Sequence, residues 1–225
     1  MVNVCCVYYG HKYETIYVQN LYNMVKRHLT KPFKFYCFTD HTKIHKIVKG
    51  DIIFKSFPRH DFEGWWHKLQ LFNPDTGLQG VNFYMDLDVV ITKNIDCFVE
   101  HGNEMEFGII RDFGQPQNTY NSSVMKWNNA IMSDVIWKPY MSERINHRKL
   151  QGDQNVITHY VQGKKILKPF PDEWTQSYKW LNRSKTRFHK KHWTFEQDPN
   201  AKICVFHGRP NPHESDQQWV KDNWK

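Results

Sequence analysis

The sequence predicts an α/β fold, and three observations carry that prediction. Apolar runs of buried-strand character alternate with stretches of helical period through the first half of the chain. The first strand, helix and strand follow one another in the order of a βαβ unit, whose crossover is right-handed. Near mid-chain an acid pair, Asp86 and Asp88, interrupts an otherwise apolar run. No internal repeat is visible, and no boundary divides the 225 residues. They are expected to form a single domain, 1–225, with a regular half to about residue 115 and a more irregular half from about 116.

In chain order, Val2–Tyr9 is apolar apart from Asn3, as for a strand covered on both faces. Gly10-His11-Lys12 makes a turn. Tyr13, Ile16, Tyr17, Leu21, Met24, Val25 and His28 fall on one helical face, and Lys26, Arg27 and His28 complement the dipole at its end. Phe33–Phe38 predicts a second strand ending at Thr39-Asp40, and Asp51–Phe57 a third. Trp65, Trp66, Leu69 and Phe72 have helical spacing before the stop at Asn73-Pro74. Val81–Ile91 predicts one continuous strand, and Phe107–Arg111 another. Asn118–Ser123 has the composition of a polar loop, followed by a short strand at Ser123–Trp127. Ala130–Met141 predicts a helix interrupted at Pro139, Gly152-Asp153-Gln154 opens another, and Ile203–Phe206 forms a late strand ending at His207-Gly208.

Within Val81–Ile91 the side chains alternate, so Val81, Phe83, Met85, Leu87, Val89 and Ile91 share one face. Asn82, Tyr84, Asp86, Asp88 and Val90 share the other, which sets the two carboxylates roughly 6–7 Å apart at their Cα atoms. Two acids in a desolvated place repel at a cost of several kcal/mol unless something neutralises them. A hard divalent cation such as Mg²⁺ or Mn²⁺ does so. The competing reading is a strand that stops at Asp86 with both acids solvated in a turn.

Composition narrows the class. Aromatic residues make up 16% of the chain although mean hydropathy is strongly negative, so the core relies on Tyr, Phe and Trp, which also suit stacking on sugars and bases. Five cysteines without a Cys-x-x-Cys pair predict reduced core thiols. No apolar run is long enough for a membrane span, and Met1–Cys5 lacks the basic n-region of a signal peptide, so a cytoplasmic location is expected. A net charge of +8 points to an anionic partner, whether nucleic acid, lipid or a phosphorylated substrate. Its densest basic run, Lys179–Lys191, reads either as a grip on an anionic acceptor, membrane or single strand, or as a solvated loop.

With Asp86-Leu87-Asp88 placed behind some eighty residues of α/β pattern, the chain resembles the GT-A glycosyltransferases. It is most similar to the glycogenin and lipopolysaccharide galactosyltransferase family and its phage and bacterial relatives. Val7-Tyr8-Tyr9-Gly10 with Tyr13 resembles the strand and loop that hold the nucleotide base, and Phe38-Thr39-Asp40 a strand end common in these enzymes. Asn121-Ser122-Ser123-Val124-Met125 resembles their Asn-Ser-Gly-Val segment, with Ser123 where glycine is common. Gly152-Asp153-Gln154 is similar to their helix-opening acid–amide pair, and His207-Gly208 to the third metal ligand and the glycine beside the diphosphate. The sequence after His207, Gly208-Arg209-Pro210-Asn211-Pro212-His213, departs from the family's wider spacing.

The resemblance implies a mostly parallel, Rossmann-like GT-A sheet with a nucleotide-binding first half and an acceptor-side second half. It implies transfer of a hexose from a nucleotide-diphosphate sugar to a glycan, lipid or protein. Mn²⁺ (or Mg²⁺) would be held by Asp86, Asp88 and His207, and an imidazole ligand favours Mn²⁺. Asp153 and Gln154 would be catalytic. Tyr8, Tyr9, Tyr13, Lys68, Asp86, Asn121, Ser122, Gly208 and Arg209 would bind the donor. Arg59 is a further candidate for the diphosphate, and Asp153 or Asp112 would be the general base if the enzyme inverts. Residue by residue, plainer roles compete: a turn histidine at 207, a helix-capping acid at 153, core tyrosines, solvated cations. A metal-dependent nucleic-acid enzyme or binder is the alternative function, although nucleic acid lacks a motif of its own here.

Overall fold

The computed structural model describes residues 1–115, 117, 119–147, 150–180 and 193–225. β1 (Val2–Tyr8) leads through α1 (Ile16–His28) to β2 (Phe33–Thr39), which pairs with β1 in parallel from Val2↔Phe33 to Tyr8↔Thr39. β3 (Ile52–Lys55) adds outside β2, and β4 (Val81–Met85) adds on the far side of β1, both parallel. The chain then leaves this sheet through β5 (Val89–Ile91) and α2 (Asp96–Glu100), and returns as β6 (Gly108–Arg111) and β7 (Tyr120–Asn128). β7 lies antiparallel between β4 and β6, giving the order β3-β2-β1-β4-β7-β6, a mixed and mostly parallel sheet. Strand order reverses between β1 and β4, and in such sheets ligands bind beyond the carboxyl ends at that switch point.

The rest of the chain packs around this sheet. α3 (Asn129–Met132) passes through a wider π turn at Ser133–Trp137 into α4 (Lys138–His147), and α5 (Asp153–Val161) follows. β8 (Thr175–Ser177) and β9 (Ile203–Val205) join β5 in a second sheet ordered β5-β9-β8, and α6 (Gln218–Asn223) closes the chain. β1 shows why both faces of the sheet are covered. Val4, Cys6 and Tyr8 enter the core beneath α1, while Cys5 and Val7 enter a second core beneath Leu69, Phe72 and α5. All five cysteines are free thiols, and burial pushes those of Cys5, Cys6 and Cys204 above their usual range. Among the described residues no helix is long and apolar enough to cross a membrane.

Four expectations are corrected. The run Val81–Ile91 is two strands in two sheets, because Val89–Ile91 pairs with Ile203–Val205 instead of extending β4. The pleat therefore does not hold the acid pair; the turn between the sheets does. Asn121–Ser123 are strand residues: β7 begins at Tyr120, Tyr120 and Asn121 pair with β6, and Ser122–Ser123 lie at the register shift before the pairing with β4 starts at Val124. Pro139 does not end the helix predicted over Ala130–Met141: helical backbone continues to His147, and the wider π turn Ser133–Trp137 directly before the proline is where the regular α-helical ladder gives way. Gly64–Phe72 is a 3₁₀ segment, so three residues make a turn. Trp66, Leu69 and Phe72 then share one face, and Trp65 falls in line with Lys68 instead.

The core is tight at Gly108 on β6, where an added Cβ would stand 2.6 Å from the ring of Phe170, itself fully buried. Gly108→Ala is therefore expected to cost about 1–3 kcal/mol, as overpacked cores do, read as a lowered denaturant midpoint at unchanged slope.

Candidate active site

A cleft opens at the carboxyl ends of β1 and β4. It gathers Tyr9, Tyr13, Lys68, Asp86, Asp88, Asn121, Ser122, Asp153, Gln154, His207 and Gly208, all predicted from the sequence, from six separate stretches of chain. β4 ends one residue short of Asp86, whose N–H donates to the Ser123 carbonyl on β7 at 2.9 Å. Two residues on, the Asp88 carbonyl accepts from Phe206 N–H at 3.2 Å, which ties the turn to the end of β9 and brings His207 alongside. The acids thus sit where the first sheet hands the chain to the second. Asp88 is 7% exposed, so the reading of both acids as solvated fails for it.

Lys68 organises the floor. Its buried Nζ lies 3.0 Å from Asp86 Oδ1, 3.1 Å from Asp153 Oδ2 and 3.0 Å from Ser122 Oγ, and that hydroxyl donates to Asp153 Oδ2 at 2.6 Å. Burial alone would depress the Lys68 ammonium, but the Asp153 and Asp86 carboxylates outweigh it and raise its pKa. Burial likewise opposes the charge on Asp86. Lys68, with hydrogen bonds from Tyr84 and Ser123, nevertheless holds its pKa below the ordinary value. Asp88 goes the other way: burial first, then the neighbouring Asp86, push it up to about 6, against a hydrogen bond from Tyr13 at 2.6 Å. The capping half of the plainer role for Asp153 does not hold, since Gly152 stands at the N-cap of α5 and no side chain caps there, but Asp153 does lie in the first turn, where an acid complements the helix dipole.

His207 is a neutral imidazole, because burial and then Lys179 push its pKa down to about 3. Its ring stacks against Trp180 (4.4 Å) and Phe113 (5.8 Å), and Nε2 lies 2.6 Å from Ser177 Oγ. The Lys179 ammonium donates to the His207 carbonyl at 2.7 Å, and Gly208 takes a positive φ of 68° beside it. Among the described residues, no three His, Cys, Asp or Glu side chains stand close enough together to enclose a metal ion.

Other candidates lie outside the lining. Tyr8 is buried with its ring 4.8 Å from His41, and Arg209 is exposed and faces Glu214 at 3.6 Å. Arg59 pairs with Asp61 at 3.0 Å, and Asp112 Oδ1 accepts from the N–H groups of Gly114 and Gln115 in its own turn. Of the basic run, Lys179 is buried behind His207, and residues 181–191 lie outside the described residues. Sequence reasoning missed Lys12, Trp65, Tyr84 and Ser123 as lining residues. Tyr84 had a signal, as it shares the pleat with Asp86; Lys12 and Trp65 had none beyond their residue types.

No family model matches the chain, nor does any curated protein. Solved structures do. The glycosyltransferase GlyE of Streptococcus pneumoniae TIGR4 superimposes with a TM-score of 0.71 at 15% identity, over 99% of this chain and 63% of that one. The galactosyltransferase LgtC, in complex with donor and acceptor sugar analogues, gives 0.63 at 11% identity over 99% of this chain and 96% of its own. Mouse xyloside xylosyltransferase 1 gives 0.56 at 13%, over 92% and 97%. The chain spans less than two thirds of the GlyE chain and nearly all of the other two. At these identities the likeness is one of fold, and that fold is the GT-A fold of glycosyltransferases.

Proposed function

We propose that the protein is a cation-dependent glycosyltransferase that moves a hexose from a nucleotide-diphosphate sugar to an acceptor hydroxyl. The observation that carries this reading is the charge balance of the cleft. Three carboxylates, Asp86, Asp88 and Asp153, line the cleft with two ammoniums: buried Lys68, which already serves two of them, and exposed Lys12. Negative charge is left over beside Asp88, and a divalent cation neutralises it. Asp86 and Asp88 supply hard oxygen ligands, and His207 is in the neutral form that ligates. These donor types suit Mn²⁺ or Mg²⁺, with the imidazole favouring Mn²⁺, although the three side chains do not converge on one point among the described residues. The sugar-analogue complex of LgtC, a structure of the same fold, supports the same class of chemistry.

When bound, the cation supplies Lewis acidity to the departing diphosphate. The chain's own residues do the rest. Lys68 fixes Asp86 and Asp153 in one arrangement and Tyr13 orients Asp88, so the site is organised before substrate arrives. Gly208, without a side chain, lets backbone approach the diphosphate, and Lys179 keeps a positive charge next to it. Tyr9, at the end of the β1 loop, flanks the base and ribose. Asp153 and Gln154, at the start of α5, face the transferred sugar. Asp153 already accepts from Lys68 and Ser122, which suits a carboxylate that binds sugar better than one that takes up a proton.

The test is incubation with a panel of nucleotide sugars, with Mn²⁺ or with chelator. At a hundredfold excess over Kd the cognate donor should raise Tm by about 5 °C, and nucleoside diphosphate should be released only with the cation. Stabilisation by an oligonucleotide and by no nucleotide sugar would overturn the reading in favour of a nucleic-acid partner.

A further inference from the structure

Trp65 is the one large aromatic of the cleft that stays in water: 54% of it is exposed, whereas the neighbouring segment Leu69–Phe72 is buried. The 3₁₀ geometry puts it in line with Lys68, at the mouth of the cleft and on the α5 side. No ring among the described residues packs against the indole, although rings pair throughout the rest of the molecule. Gly152 lies beside it, where an added Cβ would stand 3.7 Å from Nε1. Gly152 has an extended backbone that any residue adopts, and 3.7 Å is an ordinary contact distance, so the indole edge abuts the start of α5. An apolar surface held open beside Asp153 and Gln154 is the pattern of a ligand subsite, with a flat apolar body next to convergent polar groups.

Resting on the transferase reading, we infer that the acceptor is a saccharide and that Trp65 is the surface on which its terminal ring stacks. A pyranose has one face of C–H bonds, which lies on an aromatic ring, and a rim of hydroxyls, which the carboxamide of Gln154 and the carboxylate of Asp153 engage. A lipid chain would need a continuous apolar trough, whereas the cleft that Trp65 lines interrupts its apolar residues, Val7, Leu87 and Phe206, with Lys68, Asp86 and Asp153. The donor's base is left to Tyr9 and Tyr13, after β1, which line the same cleft.

The experiment labels the protein with 5-fluorotryptophan and identifies the Trp65 resonance by its loss in Trp65→Phe. The protein, loaded with Mn²⁺ and a nucleoside diphosphate, is then titrated with methyl glucosides, methyl galactosides, lactose and maltose, and separately with dodecyl phosphate and a serine-rich peptide. A saturable shift of the Trp65 signal by at least one saccharide is expected. Trp65→Ala should weaken that saccharide about tenfold, with Trp65→Phe recovering most of the loss. Nucleoside diphosphate affinity should stay within about twofold, since Trp65 touches only the acceptor side. A Trp65 signal that answers only to the nucleotide, the amphiphile or the peptide, or to none of them, overturns the inference, as does unimpaired saccharide binding in Trp65→Ala. Failure to bind any nucleoside diphosphate would instead sink the transferase reading, while the fluorine signal would still report whether sugars meet Trp65.

Discussion

Lys68→Met is expected to remove transfer activity and to destabilise the protein by about 3–5 kcal/mol, the range for leaving buried charges without their partner. Its side chain is 9% exposed and its ammonium is the shared counter-ion of Asp86 and Asp153. Without it, three carboxylates crowd one cleft, and Ser122 loses a donor to its hydroxyl. Urea denaturation of the variant reads the stability, and nucleoside diphosphate release reads the activity. Because the penalty comes from stranded carboxylates and not from lost packing, Lys68→Met combined with Asp153→Asn should recover a substantial part of the lost stability, about 1–3 kcal/mol, yet none of the activity. A single variant as stable as wild type would show that the ammonium is no keystone.

Asp88→Asn should separate activity from stability in the opposite sense. Asp88 is buried beside another carboxylate and its pKa is raised, so its charged form opposes folding at neutral pH. The sign follows from linkage: above the pKa of the unfolded chain, folding must either keep the proton or bury the charge, and both cost free energy. Asparagine keeps the size and an oxygen for the Tyr13 hydroxyl, which donates at 2.6 Å, without the charge. Thermal denaturation without added metal should therefore show an unchanged or higher Tm. Cation-dependent release of nucleoside diphosphate should fall by about 10²–10³-fold or more. A function held at a cost in stability has this signature. Equal loss of stability and activity would mark Asp88 as structural.

Much of the site was legible because its residues lie at the ends of elements with strong local patterns. β1, α1 and β2 announce themselves through Val2–Tyr8, the helical face from Ile16 to His28 and Phe33–Thr39, and the cleft opens where those strands end. What stayed hidden depends on partners distant in the chain. Nothing local in Val81–Ile91 shows that Val89 pairs with Val205, so the break at Asp86 could not be read from the run itself. Asn121 and Ser122 have loop composition and belong to a strand only because β6 pairs with Tyr120 and Asn121 at the start of β7. The Lys68–Asp153 ion pair, which displaces the capping role of Asp153, joins two helical segments that the sequence does not connect. Trp65 was misplaced for a geometric reason: a period of 3.6 assigns it to the buried face, and a period of three turns it to the cleft.

In the proposed function, Asp86 and Asp88 hold a divalent cation that in turn holds a pyrophosphate. Titrating Mn²⁺ into the protein, with and without a nucleoside diphosphate, and following the free-ion paramagnetic resonance signal tests it most directly. One cation should bind per chain, at least tenfold tighter with the nucleotide present, and that site should be lost in Asp86→Asn and Asp88→Asn. Manganese binding that ignores the nucleotide, or that survives in both variants, would contradict it.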